Sequence, residues 1–410
     1  MKVTGLIAEY NPFHNGHAYH MQQSRRITGC DYLIVVMSGN FVQRGEPAIV
    51  DKYVRARMAL LAGADLVLEL PVSYACGSAE FFAGGAVSLL ESLGVVESLC
   101  FGSEEGSLKP LWEAACILAL EPEDFRANLQ AALREGATFP AARQKALGKV
   151  LPPDALRALS FPNNILSIEY LKALIRQQSR IRPYSIPRIS NGYHDATLDN
   201  RTGLSSATAI RKELLNGNFH GLCAHMPREA YELLEVSLGV SSPMVANDFS
   251  LLLHYLLLDA CPEDLCACQD IHFDLANRIC SLRTEFSTFD AFVSLLKTRQ
   301  LTETRVRRAL MHLILSIQEE TVQNQIRKGW NSYVRVLGFR KSAVPLLGNI
   351  KDSCRLPLIT NVAGSSKVLD EHASSMLRQD LRAAAIYESA AATKFQRAPC
   401  SEYRRKLLVL

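Results

Sequence analysis

Short runs of branched and aliphatic residues recur along the first hundred positions, each followed by a stretch with helical spacing. Val3 to Ala8 reads as a buried strand, Tyr10 to Gly16 as a Pro/Asn/Gly loop, and His17 to Thr28 as an amphipathic helix. The strand pattern returns at Tyr32 to Met37, Leu66 to Leu70 and Ser98 to Phe101, the helical one at Asp51 to Ala62 and Ala79 to Leu93. Short β-branched and aliphatic runs between helical patterns predict a parallel sheet with crossover helices. From Leu108 to Gln178 the spacing is mostly helical, with breakers at Leu151-Pro152-Pro153 and Phe161-Pro162-Asn163-Asn164. Arg182 to Ile189 predicts a fifth strand, and Ser205 to Arg211 opens a helix whose hydroxyls suit an N-cap.

Beyond Gly217 strand signals thin out; residues 226–330 carry the apolar spacing of a helical bundle. From Trp330 onward, short apolar runs mix with Gly and Pro, predicting a small α+β or irregular piece. A chain of 410 residues is too long for one ordinary core. The expected organisation is therefore an α/β domain over 1–217, a helical domain over 218–330 and a small C-terminal domain over 331–410. Hydrophobic residues at 48% and charged residues at 21% exclude disorder of the whole chain. A formal charge of +4 is too small to diagnose a nucleic-acid partner. Glu9 interrupts the first apolar run and no small-residue cleavage site follows, so the start reads as a strand rather than a signal peptide. Leu251 to Leu258 is far too short to span a bilayer. Eleven scattered cysteines, an odd number, indicate reduced thiols and a cytoplasmic protein.

The chemistry concentrates in His14-Asn15-Gly16-His17, between the first strand and the first helix. A helix N-terminus offers unpaired N–H groups and a positive dipole end, which together bind phosphate. Gly16 removes a side chain where the backbone must approach a nucleotide closely. The two imidazoles are placed to donate hydrogen bonds to a triphosphate as charge moves onto departing pyrophosphate. The plain alternative is one histidine capping a helix and another left incidental in a loop.

With its strand–loop–helix context, HNGH resembles the HxGH nucleotidyltransferase superfamily, and Ser206-Ala207-Thr208-Ala209-Ile210-Arg211 resembles its second, ISxTxxR signature, with Ser205 where Ile is common. The likeness narrows to the bacterial tRNA(Met) cytidine acetate ligase family through IAEYNPFHNGHAYH at 7–20, MSGNFVQRGEPAIVDKYVRARMAL at 37–60, GADLVLELP at 63–71, FGSEEG at 101–106, PNNILSIEYLKAL at 162–174 and ISNGYHD at 189–195. It is dense over residues 1–211 and loose thereafter. The resemblance implies a Rossmann-like nucleotidyltransferase domain and a ligase that makes acetyl-adenylate from ATP and acetate, then acetylates N4 of the wobble cytidine of elongator methionine tRNA. It implies His14 and His17 as catalytic residues. ATP contacts are expected at Ile7, Ala8, Glu9, Tyr10, Asn11, Pro12, Phe13, His14, Asn15, Gly16, His17, Ala18, Tyr19 and His20 of the loop. Further ones are expected at Gly102, at Asn163 or Asn164, at Arg188, and at Ser206, Thr208 and Arg211. The co-substrate is ATP with magnesium, and no tightly bound metal is expected. The residues alone leave a general base unassigned.

Arg44 and Lys52, on the carboxyl side of the sheet, read as hands for a carboxylate, a phosphate or RNA, the plain alternative being a surface salt bridge from Arg44 to Glu46. Cys261, Cys266, Cys268 and His272 have no common zinc spacing and read as packed side chains. Between Lys297 and Lys351, 11 Lys/Arg stand against 3 Glu, with Trp330, Tyr333 and Phe339 interleaved, a pattern that suits tRNA or a solvated helix face over core aromatics. Competing functions are an HxGH adenylyltransferase acting on a small phosphorylated metabolite or another carboxylate, and a non-catalytic RNA-binding protein on a nucleotide fold.

Overall fold

The N-terminal alternation folds into strands β1 (Val3–Ala8), β2 (Tyr32–Ser38), the paired two-residue strands β3 (Phe41–Val42) and β4 (Glu46–Pro47), then β5 (Leu66–Leu70), β6 (Ser98–Ser103) and β7 (Arg182–Pro187). The computed structural model describes residues 1–104, 106–137, 139–188, 197–199 and 201–410; the ISNGYHD motif at 189–195 lies outside the described residues. Helix α1 (Asn15–Thr28) follows β1, and α2 (Lys52–Leu61) connects the hairpin to β5. The strand order is β5-β2-β1-β6-β7, all parallel. Alternate side chains of β2 go to opposite faces, as the pleat requires. Leu33, Val35 and Met37 pack with Met21 of α1 and Ala59 of α2. Ile34 and Val36 pack with helices Ala79–Ser92 and Pro162–Arg176. Burial on both faces explains why these strands read as unbroken apolar runs.

The segment after residue 330 does not stand apart as expected. Strands β8 (Val334–Phe339), β9 (Leu358–Ile359) and β10 (Leu408–Val409) extend the same sheet, with β8 antiparallel to β5 and the other two parallel to β8. β8 thereby covers what would be an open edge at β5. Arg335 hides it from a sequence reading: this charged residue is buried in mid-strand, with its guanidinium 2.9 Å from the Glu69 carboxylate.

The boundary expected at 217 is likewise not a break in the core. The region holds helices Arg228–Ser237, Ser250–Leu258, Phe273–Leu282, Phe289–Leu296, Glu303–Leu315 and Glu319–Arg327, as its spacing predicts. Yet Phe249, Leu253, Phe292 and Leu310 belong to the same apolar cluster as Ile34 and Leu68 of the sheet. The long helix Glu371–Lys394 stitches the layers together: Tyr387 Oη donates to the Ala48 carbonyl at 2.8 Å, and Asp380 accepts from the Val72 N–H at 2.8 Å.

The hairpin β3–β4 rests on helix Glu303–Leu315 through Gly45, whose φ is +74°. A Cβ there would lie 2.4 Å from the Arg308 backbone nitrogen. Gly45→Ala therefore combines a left-handed backbone with a clash against helix backbone atoms, and should lower unfolding stability by about 1–3 kcal/mol. Denaturant titration checks this; a change under about 0.5 kcal/mol, the range of an ordinary surface substitution, would refute the contact.

Candidate functional site

The chain steps outward from β1 through β2 to β5, then crosses back to place β6 and β7 on the other side of β1. At such a reversal the adjoining loops diverge and a crevice opens at the carboxyl ends of the strands, here those of β1 and β6. The loop from Glu9 to His14 and the first turn of α1 border it, with Gly102 near the end of β6 and Arg188 just after β7.

His14 is the N-cap of α1, with extended backbone (φ −146°). Its Nδ1 accepts from the Gly16 N–H at 3.0 Å, while Nδ1 of His17 accepts from the His14 N–H at 3.2 Å. This reciprocal capping fixes the tautomers: with both Nδ1 atoms accepting, each neutral ring carries its proton on Nε2. The rings stack with centroids 3.7 Å apart. Burial, reinforced by Arg188 and Arg211, pushes His14 down to about 3. Burial and then the neighbouring His14, Arg188 and His20 hold His17 well below the usual histidine value. His20, depressed by burial and Arg188, falls to about 4. At neutral pH the histidines are thus uncharged hydrogen-bond donors, and positive charge comes from Arg188 and Arg211.

Gly16 also makes room for a neighbour in the chain. A Cβ on it would sit 2.8 Å from Cε1 of His14, so glycine leaves room for the capping imidazole to fold over the helix start. Gly102 similarly admits the Arg188 side chain, whose Cγ lies 3.2 Å from where a Cβ would be. Arg188 donates to Oδ1 of Asn163 at 3.1 Å. Glu104 caps helix Pro162–Arg176: it accepts from Asn163 Nδ2 at 2.6 Å and from the Asn164 N–H at 3.0 Å. The two asparagines thereby separate in role. Asn163 is half-buried beside Arg188, whereas Asn164 is fully buried with its Oδ1 accepting from the Glu104 N–H at 2.9 Å.

The rest of the predicted loop divides between lining and scaffold. Ile7 and Ala8 end β1, and these two and the following Glu9 are half-buried. Tyr10 turns the chain with φ 50°, and its buried ring meets those of Phe13 and His17 edge-on, each at 4.8 Å. Pro12 and Phe13 are buried, and Asn11 Oδ1 accepts from the Ile49 N–H at 2.7 Å. The Asn15 amide points away from the crevice, donating to the carbonyls of Gly203 at 3.1 Å and Ala224 at 2.9 Å. Ala18 and Tyr19 pack against the apolar layer of α1 and α2. Ser206 caps helix Ala207–Leu215 by accepting from the Ala209 N–H at 3.1 Å. Arg211 donates to the Asn11 carbonyl at 2.8 Å and to Thr208 Oγ1 at 3.3 Å. The second sequence signature is thus brought onto the first through one arginine.

Two basic readings change. Lys52 is no hand for a ligand: it is fully buried, with Nζ 2.8 Å from Glu69 and 3.2 Å from Glu402. In the basic stretch, Arg307 pairs with Asp290 at 2.7 Å and Arg308 with Asp270 at 2.9 Å, while Tyr333 is core and Trp330 packs on Gly84. The aromatics there are structural. Of the cysteine cluster, Cys261 caps helix Pro262–Cys266, Cys268 is buried and His272 precedes helix Phe273–Leu282. Arg55 and Glu104 escaped sequence reasoning. Arg55 is fully buried and donates to the carbonyls of Val50 at 2.8 Å, Glu9 at 2.5 Å, Ser38 at 3.1 Å and Gly39, tying together the ends of β1 and β2. An arginine in an amphipathic helix reads as a solvated charge, so nothing in the spacing pointed inward.

A family model described as HIGH Nucleotidyl Transferase matches residues 1–401. The chain is similar to a tRNA(Met) cytidine acetate ligase of Acetivibrio thermocellus, 41% identical over 396 residues and 94% of each chain. It is also similar to one of Thermoanaerobacter sp., 42% identical over 391 residues, covering 94% of this chain and 95% of the other. The crystal structure of Thermotoga maritima TmcAL bound with alpha-thio ATP matches over 100% of both chains, with a TM-score of 0.92 at 31% identity. The apo form of that protein matches over the same coverage with a TM-score of 0.94.

Proposed function

The chain belongs to the HIGH nucleotidyl transferase family, and from that premise we propose that it is a tRNA(Met) cytidine acetate ligase. It uses ATP to convert acetate to acetyl-adenylate and transfers the acetyl group to N4 of the wobble cytidine of elongator methionine tRNA. The observation that carries this reading is the pair of Nε2–H donors on His14 and His17, set at a helix N-terminus in the switch-point crevice and flanked by Arg188 and Arg211. Displacement at the α-phosphorus needs alignment and charge stabilisation rather than an enzyme nucleophile. Neutral donors are already oriented by backbone bonds at Nδ1, so they stabilise departing pyrophosphate without reorganising. Arg188, hydrogen-bonded to Asn163, is the cation we assign to the ATP phosphates or the adenine edge. Magnesium arrives with the triphosphate and neutralises part of its charge.

The transfer step follows from the acceptor's chemistry. The lone pair of the cytosine amine is delocalised into the ring, so it needs an activated acyl donor. The wobble base lies in a single-stranded loop and is splayed out at modest cost. tRNA phosphates meet the exposed cations of the basic stretch, Arg327, Lys328, Lys341 and Lys351, rather than the paired Arg307 and Arg308. The proposed location is the cytoplasm, where the tRNA is; among the described residues no helix is long and apolar enough to cross a membrane.

Purified protein with magnesium, ATP, labelled acetate and elongator methionine tRNA should yield N4-acetylcytidine at the wobble position, with AMP and pyrophosphate released. Acetyl-CoA in place of ATP and acetate should give no product. Acetylation from acetyl-CoA alone would defeat the adenylate mechanism, and exchange of pyrophosphate into ATP that required another carboxylate would defeat the acetate assignment.

A further inference from the structure

Glu9 carries a carboxylate at the switch point that the adenylation chemistry leaves unused. Along β1, Leu6 and Ala8 join the layer of α1 and α2, while Ile7 packs against the opposite one. Glu9 continues the Ile7 face, beyond the last residue of the strand, and is only half-buried. Its Oε1 accepts from the Gln43 N–H at 3.0 Å, and its own carbonyl is pinned by Arg55 at 2.5 Å. Arg211, Arg44 and Arg55 all act on it electrostatically, and Tyr170 and Cys76 lie within reach of its charge. Arg211 is also felt by His14, so Glu9 and His14 share the field of one guanidinium.

We propose that Glu9 is the base of the transfer step, accepting the proton that cytosine N4 loses; the inference rests on the ligase reading above. N4 attacks the acetyl carbon of acetyl-adenylate. The N4–C bond forms, the C–O bond to the phosphate breaks with its electron pair leaving on AMP, and one N4 proton passes to the Glu9 carboxylate and on to solvent. A carboxylate is the usual acceptor for a cytosine amine. The other groups are committed elsewhere. Both histidines hold their Nε2 protons because their Nδ1 atoms are occupied. Glu104 caps a helix, Asp51 caps α2, and Glu69 bridges Lys52 and Arg335. Burial raises the proton affinity of Glu9 against the opposing pull of the Gln43 N–H and the three arginines, the direction that favours a general base.

Glu9→Gln keeps an oxygen for the Gln43 N–H and removes the basicity together with the negative charge. The test uses full-length protein with ATP, labelled acetate and elongator methionine tRNA. It measures pyrophosphate exchange, hydroxylamine-trapped acetyl-adenylate and acetylated tRNA. Transfer should fall on the order of 100-fold. Its loss should exceed any loss of exchange by roughly tenfold or more, because a base contributes to the second step alone. Acetyl-adenylate should accumulate in the variant and Glu9→Asp should recover part of the transfer rate. The rise of the parent's single-turnover transfer rate with pH should be missing from Glu9→Gln. Transfer at the parental rate, or equal losses in both steps, would overturn the assignment. A parent protein that makes no acetyl-adenylate would instead bring down the ligase reading, and this one with it.

Discussion

His17→Ala should lower acetate-dependent exchange of pyrophosphate into ATP by roughly 100- to 1,000-fold, the usual loss when one preorganised donor to a developing anion is removed. The fold should survive, since the substitution removes half of a capping pair at the start of α1 and costs about 1 kcal/mol. Circular dichroism and the exchange assay separate the two effects. Exchange within a few-fold of the parent would sink the assignment of His17 as a phosphate donor. The pH profile adds an independent check. With His14 depressed to about 3 and His17 also well below the ordinary value, neither ring gains a proton between pH 6 and 8. An acid limb near 6.5 that vanished in His17→Ala would contradict the neutral, Nε2-protonated state.

Glu69→Ala should cost about 3–5 kcal/mol of stability, because it leaves two buried cations to share a single counter-charge. Glu69 takes Lys52 Nζ at 2.8 and 3.1 Å and Arg335 at 2.9 Å, and both cations also reach Glu402. One acidic group would remain for two fully desolvated cations. The loss should appear as a lower denaturation midpoint with little change in slope. Glu69→Gln, which keeps hydrogen-bond acceptance but not charge, should fall between the two. A cost under 1 kcal/mol would mean that the four charges are not coupled. Because Arg335 lies on β8 and Glu402 near the C-terminus, the same substitution should loosen the C-terminal strands first, readable by amide exchange along Val334–Phe339.

The part of the molecule legible in the sequence is the part made by local rules. Strands β1, β2 and β5 announced themselves because burial makes each a largely apolar run, whereas the edge strand β7 showed only as an extended, Pro-punctuated stretch. The HNGH loop was legible because strand, loop and helix start are neighbours in the chain. The histidines cap the helix they begin, and Gly16 is demanded by a ring only two residues away. Tertiary structure decided what depends on partners hundreds of residues off. Lys52 and Arg335 look like surface charges in sequence, yet each is buried because Glu69 and Glu402 reach it from other elements. That exchange hid β8 and made the C-terminal segment seem a separate piece, when it completes the sheet. Asn163 and Asn164 are chemically identical in sequence. Only the position of Glu104 and Arg188 turns one toward the crevice and buries the other. Local spacing fixes which face of an element is apolar, but whether a charge on it meets water or an opposite charge is settled only when the distant chain folds against it.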